Sequence, residues 1–191
     1  METKPNPVGT AFARVRALLV TFRDWIDGRL HARRRRRAIR RMLSVAPSSV
    51  LFVCLGNVCR SPYAASVWRR DSRIPAQSGG YLGPGRSPPD EAIRVARARG
   101  IEHASHVSKL VTAEMLRTAD LVFVFDRFNV AQLARAGARL DRVVWLGDFD
   151  PVWTGKRAII DPWGKSIDEF ASTFERIDRC VGEAARLLAR G

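Results

Sequence analysis

Val50-Leu51-Phe52-Val53-Cys54-Leu55-Gly56-Asn57-Val58-Cys59-Arg60-Ser61-Pro62 decides how the rest of the chain is read. Its first four residues are apolar, enough for a short buried strand. Ser61-Pro62 is a helix-start signal, a hydroxyl for the N-cap and a proline for the first helical position. Only seven residues, Cys54 to Arg60, join the two. Gly56 and Asn57 both tolerate left-handed backbone angles, so the loop can curl and turn successive N–H groups inward. Inward N–H groups running into a helix N-terminus form a nest for a tetrahedral anion. Arg60 adds a planar fork that grips two phosphate oxygens. Cys54 falls at the strand's carboxyl end, beneath the anion, where the positive field favours a thiolate nucleophile.

The bare spacing of Cys, five residues and Arg occurs twice, because Cys180 is followed by Arg186 in the same way. That second stretch, Cys-Val-Gly-Glu-Ala-Ala-Arg, sits in a helical pattern with an acid in its middle and no strand before it, so Cys180 reads as packing. Context separates the two: strand, glycine-containing loop and helix start surround only Cys54. The plainer reading of Cys54 is an inert buried thiol at a strand end.

Composition bounds the rest. A chain of 191 residues, 46% of them hydrophobic, suits one α/β domain with some excess. Three cysteines make no disulfide framework and fit a reducing, cytoplasmic compartment. No apolar run reaches the length of a membrane span, and no secretory signal opens the chain.

The formal net charge of +14 is unevenly placed. Residues 1–48 hold twelve Lys/Arg against three Asp/Glu, so this quarter carries +9 of it. Met1 to Gly9 reads as a loose tail. Phe12, Val15, Leu18, Leu19, Phe22, Trp25, Ile26 and Leu30 then recur at helical spacing, an amphipathic helix over 11–30. Arg33 to Arg37, Arg40 and Arg41 follow as a basic linker, and Ala46-Pro47-Ser48-Ser49 marks a boundary. The division expected is 1–48, a basic amphipathic extension and linker, and 49–191, the catalytic-type body. Three readings fit the arm: a solvated basic helix packed by its apolar face, attachment of residues 11–41 to an anionic membrane surface, and phosphate contacts to nucleic acid. The last is the weakest, since no nucleic-acid-binding motif accompanies the basic run.

Beyond the loop, strands and helices alternate. Strands are predicted at 50–53, 76–78, 121–125 and 143–146, with helices at 62–70, 90–99, 112–117, from about 129 to 136, and from 167 through the stripe Ile167, Phe170, Phe174, Ile177, Val181, Ala184, Leu188. Strands that are apolar throughout and alternate with helices describe a parallel sheet covered on both faces. Ligands in such sheets bind beyond the strands' carboxyl ends, where Cys54 and Asp126 both fall. Phosphoryl transfer from an ester also needs an acid to protonate the leaving oxygen. Asp148, Asp150 and Asp161 follow the last strand, and local physics does not choose among them; an Asp-Pro turn is the plainer reading of Asp161-Pro162.

Cys54-Leu55-Gly56-Asn57-Val58-Cys59-Arg60-Ser61-Pro62 resembles the phosphate loop of the low-molecular-weight protein-tyrosine phosphatases. The resemblance continues through Ser105-His106-Val107-Ser108-Lys109-Leu110, Asp126-Arg127-Phe128-Asn129 and Asp161-Pro162-Trp163, covering about residues 49–190. It implies a four-stranded doubly wound sheet of flavodoxin-like order and a cysteinyl-phosphate mechanism without metal or organic cofactor. Cys54 would be the nucleophile, Arg60 the clamp and Asp161 the general acid. Leu55, Gly56, Asn57, Val58, Cys59, Arg60 and Ser61 would cradle the phosphate. Ser78 and His106, with Asn57 and Ser61, would hold the loop in shape, and Asp126 would stand near it. Trp163 would wall the substrate slot, although Gly164 replaces the second aromatic the family often has there.

Val58 stands where tyrosine-type members are apolar and the arginine-phosphatase relatives have threonine. The resemblance therefore favours a phosphotyrosine protein substrate, including a bacterial tyrosine kinase of polysaccharide export. Cys59 is either a partner for a reversible disulfide with Cys54 or a small filler under the loop. The competing functions are a thiol-dependent arsenate reductase on the same fold, which needs more relay cysteines than Cys59 and Cys180, and a non-catalytic phosphoprotein-binding module.

Overall fold

A computed structural model describes residues 7–190, with side chains described for Phe22, Trp25, Ile26 and residues 29–190. Ten elements carry the fold: α1 (Pro7–Val45), β1 (Val50–Val53), α2 (Arg60–Asp71), β2 (Ala76–Gly79), α3 (Asp90–Ala98), α4 (Ala113–Thr118), β3 (Leu121–Val124), α5 (Arg127–Arg135), β4 (Val143–Trp145) and α6 (Ile167–Leu188). Short 3-10 turns flank β4 at Leu140–Arg142 and Leu146–Phe149.

The four strands form one parallel sheet in the order β2-β1-β3-β4. From β1 the chain moves outward to β2 on one side, then returns to β3 on the other. The crevice of a doubly wound sheet therefore opens between the carboxyl ends of β1 and β3. Val53 pairs with Val124 there, which sets Cys54 beside Phe125 and Asp126.

Both faces of the sheet are covered, which is why β1 and β3 read as unbroken apolar runs. Val50, Phe52, Leu121 and Phe123 point to one layer, with Tyr63 and Trp68 of α2 and Phe174 and Ile177 of α6. Phe52 and Phe123 stack at 4.9 Å between ring centroids, and Tyr63 stacks on Phe174 at 3.8 Å. Leu51, Val53, Val122 and Val124 take the alternate positions and meet Leu133 of α5.

The arm departs from its sequence reading. Residues 31–45, expected as a basic linker, continue the helix, as do Pro7–Gly9, expected as tail. The start of that tail and the side chains of Phe12, Val15, Leu18 and Leu19 lie outside the described residues. An arginine run reads as solvated linker, but His31, Arg35, Ala38 and Met42 recur three or four apart within it and share one face. His31, Ala38 and Met42 are buried. His31 Nε2 hydrogen-bonds the Asp150 carbonyl at 3.1 Å, Arg35 pairs with Glu183 of α6, and Arg41 donates to the Val143 carbonyl on edge strand β4. The carboxyl-terminal third of α1 is thus part of the same core as the sheet. Met42→Ala is expected to lower unfolding stability by about 2–5 kcal/mol, the usual range for a fully buried methionine cut to alanine. A urea titration checks this; a midpoint unchanged from wild type would mean that the helix merely rests on the body. Among the described residues, no helix is long and apolar enough to cross a membrane.

Candidate active site

The Cys54–Arg60 loop is shaped by Asn57 more than by Gly56. Asn57 is fully buried and is the loop residue with positive φ, at 51°. The left-handed turn expected of Gly56 and Asn57 together therefore falls to Asn57 alone. Asparagine tolerates that region because its short amide can hydrogen-bond locally. Here the amide ties three segments together. Its Nδ2 donates to Ser61 Oγ at 2.9 Å and to Ser78 Oγ at 3.0 Å, while its Oδ1 accepts the Lys109 N–H at 2.8 Å. His106 Nε2 donates to the Asn57 carbonyl at 2.7 Å; a carbonyl only accepts, so this nitrogen carries the proton. Burial lowers the pKa of His106 and pushes that of His103 down to about 4, keeping both rings neutral near pH 7. His103 Nε2 holds the Val58 carbonyl at 3.1 Å in the same way.

Cys54 Sγ lies at the centre of this frame, buried, with the Asn57 N–H 3.2 Å away and Ser61 Oγ 3.0 Å away. Ser61, expected to cap α2, does not. The helix begins at Arg60, with Cys59 in the capping position and no side-chain cap, and the Ser61 hydroxyl is turned onto the sulfur. Asp90 is the first residue of α3 and follows Pro89 in the cap position. Cys54 and Cys59 are free thiols, and burial raises the pKa of Cys59.

Arg60 gathers the second half of the site. It is 2% exposed, and its Nη1 donates to Asp126 Oδ2 at 2.7 Å and to the Ile159 carbonyl at 3.0 Å. Its Nη2 pairs with Asp161. Burial disfavours the charge, but Cys54, Asp161 and Asp126 more than offset it and hold the guanidinium protonated. Asp126 is fixed in turn by capping α5, its Oδ1 accepting the Asn129 N–H at 2.9 Å. Arg60 Nε is buried with no hydrogen-bond partner among the described residues, a donor of the kind an anion would use.

Asp148 and Asp150 face elsewhere. Asp148 takes Arg157 in a two-pronged bond at 2.8 and 2.7 Å. Asp150, fully buried, is shared by Arg176 and Arg179. Asp161 lines a slot of about 90 Å³ together with Cys54, Val58, Leu82, Arg86 and Trp163. Its Oδ1 accepts the Trp163 N–H at 3.3 Å. A larger cavity of about 380 Å³ opens between α1 and β4, but no residue of the loop lines it, and the reactive groups converge on the smaller slot.

Residues 49–190 match the model of the low molecular weight phosphotyrosine protein phosphatases. The chain belongs to this family. The Escherichia coli phosphatase Etp is 31% identical over 148 residues, a match covering 75% of this chain and 96% of Etp. Among solved structures, the Erwinia amylovora tyrosine phosphatase AmsI superposes with a TM-score of 0.66 at 26% identity, covering 73% of this chain and 92% of AmsI. The Geobacillus stearothermophilus arginine phosphatase YwlE superposes equally well, with a TM-score of 0.66 at 26% identity over 74% of this chain and 93% of YwlE.

Three residues of this phosphatase's site are not evident from the sequence. Gly80 lies so close under the loop that a Cβ there would stand 2.7 Å from the Leu55 carbonyl oxygen and 2.8 Å from the Asn57 nitrogen. Ile159 supplies the carbonyl that Arg60 holds, and is itself tied by its N–H to the Phe125 carbonyl at 2.8 Å. Arg86 sits over the Trp163 ring, 5.3 Å from its centroid. Gly164 has φ of 72°, a conformation in which an aromatic side chain would be strained although the space around it is open. Of the three, only Gly80 carries a signal in the sequence, as part of a Gly79-Gly80 interruption after a strand.

Proposed function

We propose that Cys54 attacks the phosphorus of a phosphotyrosine side chain while Arg60 and the loop N–H groups hold the non-bridging oxygens. The P–O bond to the phenol breaks, Asp161 gives its proton to the leaving oxygen, and a cysteinyl phosphate remains. The Asp161 carboxylate then takes a proton from the water that attacks this intermediate, and phosphate leaves. The observation that carries the reading is Cys54 Sγ, set between the Asn57 N–H and the Ser61 hydroxyl in one slot with Asp161. The Ser61 hydroxyl stabilises the sulfur as a nucleophile and later as a leaving group.

The Arg60–Asp161 pair describes the resting enzyme. A phosphate dianion is the better partner for Arg60, so substrate binding frees Asp161 to carry the proton it delivers. Every step runs on the chain's own side chains and water, and none calls for a metal. Arsenate reduction is disfavoured because Cys180, the remaining thiol, is fully buried in the core.

Val58 favours phosphotyrosine over phosphoarginine, since an apolar wall packs a phenyl ring but strips water from a guanidinium. The test is release of phosphate from phosphotyrosyl and phosphoarginyl peptides in the presence of a chelator, with acid-quench trapping of the phosphoenzyme. The tyrosyl peptide is expected to turn over with phosphate trapped on Cys54, and Asp161→Asn to lower kcat by roughly 10²–10⁴. Turnover confined to the arginyl peptide would reassign the substrate; dependence on a divalent ion would sink the mechanism.

For the arm, we propose attachment to an anionic membrane surface, which would bring the enzyme to a membrane-bound tyrosine kinase of polysaccharide export. Support comes from the exposed, stacked rings of Phe22 and Trp25, with centroids 6.0 Å apart, and from the Arg29 guanidinium 4.7 Å from the Trp25 centroid. Arg33, Arg36, Arg37 and Arg40 are exposed beyond them.

A further inference from the structure

Arg60 is not the only cation at the site. Arg86 lines the slot too, and its backbone is pinned on both sides by Ser108: the Arg86 N–H donates to Ser108 Oγ at 3.0 Å, and its carbonyl accepts the Ser108 N–H at 2.9 Å. A held backbone therefore delivers the side chain to the rim. There the guanidinium lies between two surfaces. One is the indole of Trp163, and the other is the loop backbone at Gly56, where a Cβ would stand 3.3 Å from Arg86 Nη1. Among the described residues, Nη1 is buried with no hydrogen-bond partner, and no carboxylate pairs with Arg86. Arg60, by contrast, is matched by Asp126 and Asp161.

The slot is small, at about 90 Å³, so the residues flanking a phosphorylated side chain that enters it stay at the rim. A planar fork, held flat against an indole and short of an anion, suits a carboxylate in two-pronged geometry. We infer that Arg86, Trp163 and Gly56 form an anion subsite beside the phosphate loop, and that it takes a carboxylate side chain adjacent to the phosphotyrosine. The substrate class is then an acidic phosphotyrosyl segment. This rests on the phosphatase reading of the slot.

The test uses the full chain and three phosphotyrosyl peptides that differ only in the residues flanking phosphotyrosine, which are Glu, Gln or Lys. Both kcat/KM with wild type and Kd with Cys54→Ser are measured. The Glu peptide is expected to be favoured over the Gln peptide by about three- to tenfold at low salt, narrowing as salt screens the pair. In Arg86→Gln the ratio should fall to about one, and in Arg86→Glu the Lys peptide should overtake the Glu peptide. Equal values for Glu and Gln peptides with wild type, or a preference that survives Arg86→Gln, overturn the subsite. Should Arg86→Gln fail to fold, the wild-type ratio and its salt dependence decide, with Arg86→Lys as the conservative variant. Absence of turnover on any peptide would count against the phosphatase reading, whereas the Kd ratio with Cys54→Ser still judges the subsite by itself.

Discussion

Cys54→Ser is expected to lower turnover of a phosphotyrosyl ester by about 10⁴-fold or more, with phosphate binding retained. In the proposed mechanism the nucleophile is the Cys54 sulfur, and the site's donors converge on it. The Asn57 N–H and the Ser61 hydroxyl both address Sγ, and Arg60 draws part of its stabilisation from the same atom. A serine hydroxyl is a weak nucleophile and has no base beside it, because Asp161, once phosphate displaces it from Arg60, carries the proton meant for the leaving oxygen. The cradle itself is untouched: the loop N–H groups, the α2 N-terminus and Arg60 remain. Removing a negative charge from beneath a dianion should tighten inorganic phosphate, which calorimetry would register as a lower Kd. The paired result, chemistry lost and binding kept, separates an enzyme from a phosphoprotein-binding module. A module that binds without turnover would show no hydrolysis with either wild type or Cys54→Ser.

What the sequence disclosed follows from where the determinants lie along the chain. The phosphate loop is contiguous, so Cys54, Asn57, Arg60 and Ser61 are legible as a group, and the apolar runs of β1 and β3 point to the buried parallel sheet. Side chains that converge from far away are less legible. Asp161 meets Arg60 across 101 positions of the chain, and it is one of three acids after the last strand. Only the tertiary fold shows Asp148 held by Arg157 and Asp150 by Arg176 and Arg179. Ser61 misleads because Ser-Pro is a real helix-start signal, yet a buried sulfur claims the hydroxyl first. The arm misleads for a related reason. Five consecutive arginines look like a linker, while the face that matters is sparse, His31, Ala38 and Met42, and its apolar surface is too small to dominate the pattern. Arg86 carries no signal at all in a chain so rich in arginine.

Gly80 is the clearest case of a functional position without functional chemistry, and Gly80→Ala is expected to cost about 10²-fold in kcat/KM. The residue follows β2 and runs directly beneath the loop. The neighbouring Tyr81 and Leu82 N–H groups both donate to the Leu55 carbonyl, at 2.8 and 3.2 Å, so the segment and the loop are tied at close range. A methyl on Gly80 would meet the Leu55 oxygen at 2.7 Å, the Asn57 nitrogen at 2.8 Å and the Asn57 Cβ at 3.0 Å. None of these is the far end of a flexible side chain. Two are backbone atoms of the loop, and one is the root of the buried Asn57. Gly80 cannot readily back away either, since its N–H donates to the Lys109 carbonyl at 2.9 Å and its carbonyl accepts the Val111 N–H at 2.8 Å. Relief therefore requires the loop to lift. Lifting it moves the Asn57 N–H that addresses Cys54 and draws the Asn57 amide from Ser61 and Ser78. The core layers lie elsewhere, so stability should fall by only about 1–3 kcal/mol, the common range for overpacking. Gly83→Ala is the control: it lies in the surface loop that follows, has open space where its Cβ would stand, and should keep activity within about twofold of wild type. The two variants set one methyl group against the underside of the phosphate loop and another in open space along the same segment. Steady-state kinetics and a urea titration of both decide the matter. Gly80→Ala retaining activity within about threefold of wild type would show that the loop does not depend on that close approach. A loss of activity that merely tracks the loss of folded protein would make it a stability effect. The expected result is divergence of the two measurements, with catalysis falling far more than folding, because the methyl group displaces the frame around Cys54 and leaves the sheet beneath it packed as before.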